Sequence, residues 1–140
     1  MIEATARRAS RDGLNHQLEL RVHRLVVDEP PDNGGEDEGP TPLELLAASL
    51  ASCVAVTLEL YARRKGWDLG TLSVQVRYAL PDRGQPTRVE LVTRLPSDLS
   101  EEQIDRLQAI AAKCPVHRVL AGEISFEEHI ELVSPSLLRG

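Results

Sequence analysis

Two cysteines are the residues of this 140-residue chain best suited to covalent chemistry. Cys53 and Cys114 stand sixty-one positions apart, in very different settings. Cys53 sits midway along an apolar run, where a free thiol commonly serves as a small buried hydrophobe. That reading and a nucleophilic one stand side by side. Cys114 precedes Pro115. A residue before proline is pushed out of the α region, and proline itself fits a first helical turn. Cys114 is therefore the predicted N-cap of a short helix, Pro115 to Leu120, ending at Gly122. A thiol in that position feels the positive end of the helix, which lowers its pKa, and Arg118 one turn on would add to the effect. Cys114 and His117 make half of a zinc-like spacing, but no second Cys/His pair accompanies them, and His16, His23 and His129 are scattered. There is no glycine-rich phosphate loop, no serine-nucleophile motif and no acidic pair at metal spacing, so neither metal nor cofactor is expected.

The element that must position Cys53 is the stretch TPLELLAASLASCVAVTLELYARRKG, Thr41 to Gly66. Thr41 is a good N-cap, Pro42 fits the first turn, and Glu44 falls at the third helical position to close a capping box. Arg63, Arg64 and Lys65 suit the negative end of the dipole, and Gly66 suits a left-handed cap. A helix of this length spans roughly 36 Å. From Leu45 to Leu58 its only polar side chains are Ser49, Ser52 and Thr57. It has no face suited to water, so other elements or a second chain must wrap it.

Around this helix the period is two. Ile2 to Ala9 is a predicted strand, followed by the turn Ser10-Arg11-Asp12-Gly13, in which Gly13 is free to take a positive φ. From His16 onward Leu18, Leu20 and Val22 alternate with Glu19, Arg21 and His23, and Leu25-Val26-Val27 continues this strand or forms a third. Asp28 to Pro40 carries six acids, no base, and several prolines and glycines. It reads as a solvated, mobile loop. Leu72, Val74, Val76 and Tyr78 line one face of a later strand, with Val89 and Leu91 on its hairpin partner. Ser100 caps a second helix with Gln103 at the third position, along a face of Ile104, Leu107, Ile110 and Ala111. Ile124 to Leu132 is a predicted last strand, and the tail after Ser134 is expected to be loosely held. The order is α+β, with antiparallel strands around a long helix.

Composition narrows the partners. The net charge of −6, without a basic stripe or stacking aromatics, argues against nucleic acid. The N-terminal residues are too polar for a signal peptide. The apolar run is too short, and too closely flanked by Glu44 and Glu59, to read as a membrane span. Two widely separated cysteines are not a secreted disulfide framework. A cytoplasmic protein is expected.

GPTPLELLAASLASC and KCPVHRVL together resemble the paired signatures of the OsmC/Ohr family, the osmotically inducible and organic-hydroperoxide-resistance proteins. The cysteine spacing and the element order match as well, so the likeness covers nearly the whole chain. It implies a single domain, residues 1–140, in which the composition marks 28–40 as a mobile acidic loop. It also implies an antiparallel sheet wrapped around the central helix of an intertwined homodimer, with sites at the subunit interface. The implied activity is that of a thiol-dependent peroxidase acting on organic hydroperoxides without metal or flavin. By the same resemblance Cys53 is the attacking thiolate that becomes a sulfenic acid. Cys114 is the resolving thiol, and an external dithiol or lipoylated protein is the reductant.

Peroxidase members place an N-terminal Arg beside the attacking thiol, in a segment resembling Ser10-Arg11-Asp12-Gly13. Arg11 is thus a catalytic candidate, and a solvent-facing turn Arg is the plain alternative. Close peroxidase matches also carry a Glu ten residues before the cysteine. Here that position is Leu43, and Glu44 lies nine before, about 180° around the helix from Cys53. The capping box accounts for Glu44 without catalysis, while Glu44 and Arg118 stay candidate binding residues. This departure, with the Leu-Glu-Leu and Pro-Val-His-Arg variants, resembles the broader OsmC-like branch. The other reading is therefore a dimeric OsmC-like protein that binds a small molecule or senses redox state without efficient peroxidase turnover.

Overall fold

The alternating first 27 residues form a three-stranded antiparallel sheet. β1 (Thr5–Arg8), β2 (His16–Leu20) and β3 (His23–Val27) lie in that order, with Ala6 opposite Leu18 and Leu18 opposite Leu25. The computed structural model describes residues 1–135. β1 is shorter than expected. The β2–β3 turn falls at Arg21-Val22, which carries none of the usual Gly or Asn signals. Arg21 adopts the left-handed φ of 57° that the tight reversal demands, and Val22 is turned out to solvent instead of continuing the face of Leu18 and Leu20. The Ser10–Gly13 turn forms as expected, but Gly13 does not take a positive φ. A Cβ there would stand 2.6 Å from both Ser10 Oγ and Asn15 Oδ1.

The acidic loop folds around its first residue. Asp28 is 3% exposed, and its carboxylate accepts the backbone N–H groups of Glu29, Glu36 and Glu38 at 2.8, 3.2 and 3.1 Å. The Asp28 N–H donates to Pro40 O at 3.2 Å, closing the loop at its neck. A Cβ at Gly35 would stand 1.8 Å from Glu29 O, and one at Gly39 2.2 Å from Val26 O, so backbone meets backbone there. One of the six acids thus departs from the solvated character expected of the stretch, because only a carboxylate at that point can collect three inward N–H groups.

α1 (Pro42–Lys65) has the expected ends. Thr41 N–H donates to Glu44 Oε1 at 2.9 Å and Glu44 N–H to Thr41 Oγ1 at 3.1 Å, the reciprocal capping box. Gly66 takes φ 72° after the last turn. By length and composition α1 can cross a membrane, contrary to the reading of its apolar run as too short. Its stripe of Leu50, Val54, Leu58 and Ala62, each at most 4% exposed, instead forms the spine of a core, the arrangement of a soluble fold.

The chain divides into two compact units, one of Met1–Leu45 with the chain from Glu127, the other of Leu46–Phe126. The second holds the rest of α1, the hairpin β4 (Ser73–Tyr78) and β5 (Val89–Arg94), α2 (Glu101–Ala111) and α3 (Pro115–Ala121). Val74, Val76 and Tyr78 are half-buried while Ser73, Gln75 and Arg77 are exposed, as the alternation requires. Ser100 and Gln103 make both hydrogen bonds of a capping box on α2. Leu107 of α2, Leu69 and Cys114 complete the core with the α1 stripe.

One expectation fails. Ile124 to Leu132 forms no strand, and Ile124, Phe126, Ile130 and Leu132 are 52 to 94% exposed. A strand exists only when a partner takes its backbone donors and acceptors, and among the described residues no strand pairs with this segment. α3 ends at Gly122 as expected, with that residue in an extended conformation, φ −94° and ψ −177°. The tail after Ser134 lies almost wholly outside the described residues.

Candidate functional site

The two cysteines, distant in sequence, meet in the second unit. Cys53 lies on α1 one residue before buried Val54, half-buried at the border between the core stripe and the helix's apolar outer face. Cys114 is the N-cap of α3, with φ −63° and ψ 141°, and is fully buried. The α2 turn carries the chain inward to it, with Lys113 N–H bonded to Ile110 O at 3.0 Å and Cys114 N–H to Ala111 O at 3.3 Å. Cys114 is within hydrogen-bonding reach of Cys53.

Both sulfurs are held by the same turn of backbone. The Val116 N–H donates to Cys53 Sγ at 3.5 Å, and the His117 N–H to Cys114 Sγ at 3.3 Å. Pro115 has no N–H, so the first free donors of α3 are these two, and each meets a different sulfur. Sequence reasoning named the cysteines and missed these donors. The Cys-Pro step was the signal that could have found them, since proline shifts the first available N–H groups to the next two residues.

The chemistry of Cys114 differs from the sequence expectation of a lowered pKa. Burial pushes the Cys114 thiol up, the His117 N–H opposes this, and the neighbouring Cys53 raises it further. Desolvation outweighs the helix end because the thiol has no water to stabilise its charge. Arg118, the second proposed source of activation, is exposed and is no cause of the shift. Cys114 thus keeps its proton beside Cys53.

The remaining candidates belong to the first unit. Arg11 is an exposed turn residue whose carbonyl accepts from the Arg8 guanidinium. Glu44 is exposed, with its carboxylate engaged by the Thr41 N–H in the helix cap. No group of His, Cys, Asp and Glu suited to a metal ion occurs among the described residues.

An adjacent pair of reduced cysteines, one half-buried and one buried and protonated, is equipped for two-electron thiol–disulfide chemistry. A family of OsmC-like proteins matches residues 35–129. Among solved structures, the chain is similar to an OsmC-like protein of Mycoplasma pneumoniae, with 23% identity, a TM-score of 0.71, and 87% of this chain and 88% of that one covered. It is similar to an organic hydroperoxide resistance protein of Legionella pneumophila, with 23% identity, a TM-score of 0.63, and coverage of 87% and 90%. It is also similar to an organic hydroperoxide resistance protein of Elizabethkingia anophelis, with 25% identity, a TM-score of 0.65, and coverage of 87% and 89%. No curated protein sequence matches. The family match spans most of the chain and both cysteines, and the long helix with antiparallel strands is the fold of these structures: the chain belongs to the OsmC-like family.

Proposed function

We propose that the protein is a thiol-dependent peroxidase that reduces organic hydroperoxides in the cytoplasm. The observation that carries this reading is the cysteine pair held by adjacent backbone N–H groups of one turn, with Cys114 buried and protonated beside Cys53. The Cys53 thiolate attacks the terminal oxygen of R–O–O–H, forming an S–O bond as the O–O bond breaks. The products are Cys53–S–OH and an alkoxide, which takes a proton to leave as R–OH. Cys114 then attacks the sulfenic sulfur, its own proton and the sulfenic hydroxyl leave as water, and a Cys53–Cys114 disulfide results. An external dithiol, free or carried on a lipoylated protein, reduces that disulfide and becomes a disulfide itself.

Arg11 is the candidate for the positive charge that favours the Cys53 thiolate, and Glu44 acts as a helix cap. Arg118 remains a candidate binding residue by its place on α3. The chain functions as one OsmC-like domain in an intertwined homodimer. Two features support the dimer: Leu43, Leu46, Val56 and Leu60 of α1 are 42 to 56% exposed, and the apolar segment around Phe126 and Ile130 has no strand partner among the described residues. A second subunit would cover the former and pair the latter.

The engagement of Glu44 in the helix cap favours one further reading, a dimeric small-molecule-binding or redox-sensing protein without efficient turnover. The test is consumption of cumene hydroperoxide in the presence of dihydrolipoamide. Multiple turnovers per subunit support the peroxidase; a single oxidation without turnover supports the sensor.

A further inference from the structure

The second unit contains a cavity of about 390 Å³ that the thiol chemistry does not use. Its floor is Val54, Leu58 and Leu107, each 1% exposed. Leu91 and Ile104, 37 and 39% exposed, stand at its mouth. Neither sulfur lines it, although two wall residues adjoin the sulfurs: Val54 follows Cys53, and His117 gives its N–H to Cys114 Sγ. The volume lies within the roughly 300–1,000 Å³ of small-molecule sites.

The chemistry of the walls selects the occupant. Among the described residues no Asp, Glu, Lys or Arg lines the cavity, so a charged ligand would lose its hydration without a counter-charge. Three polar side chains interrupt the apolar walls: Gln108 at the mouth, and Thr93 and His117, both half-buried. Together they offer donors and acceptors but no permanent charge on Gln108 or Thr93, which matches a single neutral hydroxyl or carbonyl. Mostly apolar walls with a few polar groups are the pattern of a ligand site.

We propose that this cavity is a binding site for an uncharged small molecule with an apolar body and one hydroxyl or carbonyl group. Its occupancy is linked to the redox state of the cysteines through Val54 and His117. The site itself stands whether or not the protein turns over peroxide, while the linkage rests on the disulfide of the proposed cycle. Linkage is reciprocal: whatever disulfide formation does to ligand affinity, the ligand does to the disulfide equilibrium.

The test uses the full-length reduced protein labelled at Leu, Val and Ile methyl groups and titrated with 1-octanol. Saturable shifts confined to Val54, Leu58, Leu91, Leu95, Ile104 and Leu107 are expected. Ala111→Leu, which fills the cavity from α2, should weaken binding about tenfold or more, and n-octane should bind less tightly than the alcohol. Gln108→Leu should erase that preference without changing the volume, and it serves as well if Ala111→Leu does not fold. Between reduced and disulfide forms the octanol affinity should differ by about fivefold or more. Shifts that follow protein concentration and not octanol would assign the cavity to a second copy of the chain and overturn the site. So would binding that is unsaturable, or unchanged in both variants. Equal affinities in the two redox forms would overturn the linkage alone, and failure to form any disulfide would count against the peroxidase cycle while leaving the site standing.

Discussion

Replacing Glu44 with Gln separates its capping role from a catalytic one. In the wild type the Glu44 carboxylate accepts the Thr41 N–H at 2.9 Å, while Thr41 Oγ1 accepts the Glu44 N–H at 3.1 Å. Gln keeps an oxygen for the first bond and leaves the second untouched, so only the attraction of a charge for the helix N-terminus is lost. At an exposed position that is worth about 0.3–1 kcal/mol. Thr41→Ala removes the second bond outright and should cost about 1 kcal/mol. For a chain of this size those losses correspond to roughly 1–4 °C and 3–5 °C in Tm. Melting should be followed by circular dichroism at one fixed protein concentration, because a dimer's Tm depends on it. The second-order rate constant for Cys53 oxidation by cumene hydroperoxide is then measured by stopped flow. Both variants should stay within about twofold of wild type, since a frayed first turn lies nine residues from Cys53. A drop of tenfold or more for Glu44→Gln, with Tm unchanged, would refute this reasoning and give Glu44 a role in orienting charge at the thiol.

Asp28, whose carboxyl the Glu29 N–H above all holds below its ordinary 3.8, stabilises the loop at any pH above that value. The stabilisation is lost as pH falls through the still lower folded-state pKa, so amide exchange across 28–40 should quicken only below about pH 4. Asp28→Asn should abolish that pH dependence and loosen the loop at neutral pH, and exchange unchanged in the variant would contradict it. Light scattering at micromolar concentration should return a dimer, and a stable monomer would contradict the proposed cover for α1. Arg11→Ala should slow Cys53 oxidation roughly tenfold or more without changing Tm, as loss of a positioned charge does; an unchanged rate would return Arg11 to the solvent-facing turn.

Much of this architecture was legible because local signals coincide with tertiary demand. The Thr41–Glu44 and Ser100–Gln103 boxes, Gly66 and the Cys114–Pro115 step are short-range devices that work wherever the helices go. The alternation of Val74, Val76 and Tyr78 likewise survives because one face of that hairpin meets the core. What failed depends on partners distant in sequence. The Arg21-Val22 reversal is imposed by the pairing of β2 with β3, not by turn residues. Ile124 to Leu132 has the pattern of a strand, but among the described residues no strand pairs with it. The Cys114 thiol looks activated from its helix position, and only burial beside Cys53 reveals that desolvation prevails. Asp28 was hidden among five other acids, since no composition count tells which of them gathers the backbone around itself.

The central claim, that Cys53 attacks and Cys114 resolves, is tested most directly by mass spectrometry after a short pulse of cumene hydroperoxide. Wild type, Cys53→Ser and Cys114→Ser are compared at equal protein concentration. Wild type should give one intramolecular Cys53–Cys114 disulfide, with both thiols lost together. Cys114→Ser should accumulate sulfenic acid on Cys53 and pass to sulfinic acid at higher peroxide. Cys53→Ser should consume no peroxide and leave Cys114 reduced. Oxidation of Cys114 ahead of Cys53 in the wild type, or a Cys53 that stays reduced in both wild type and Cys114→Ser, would contradict the account.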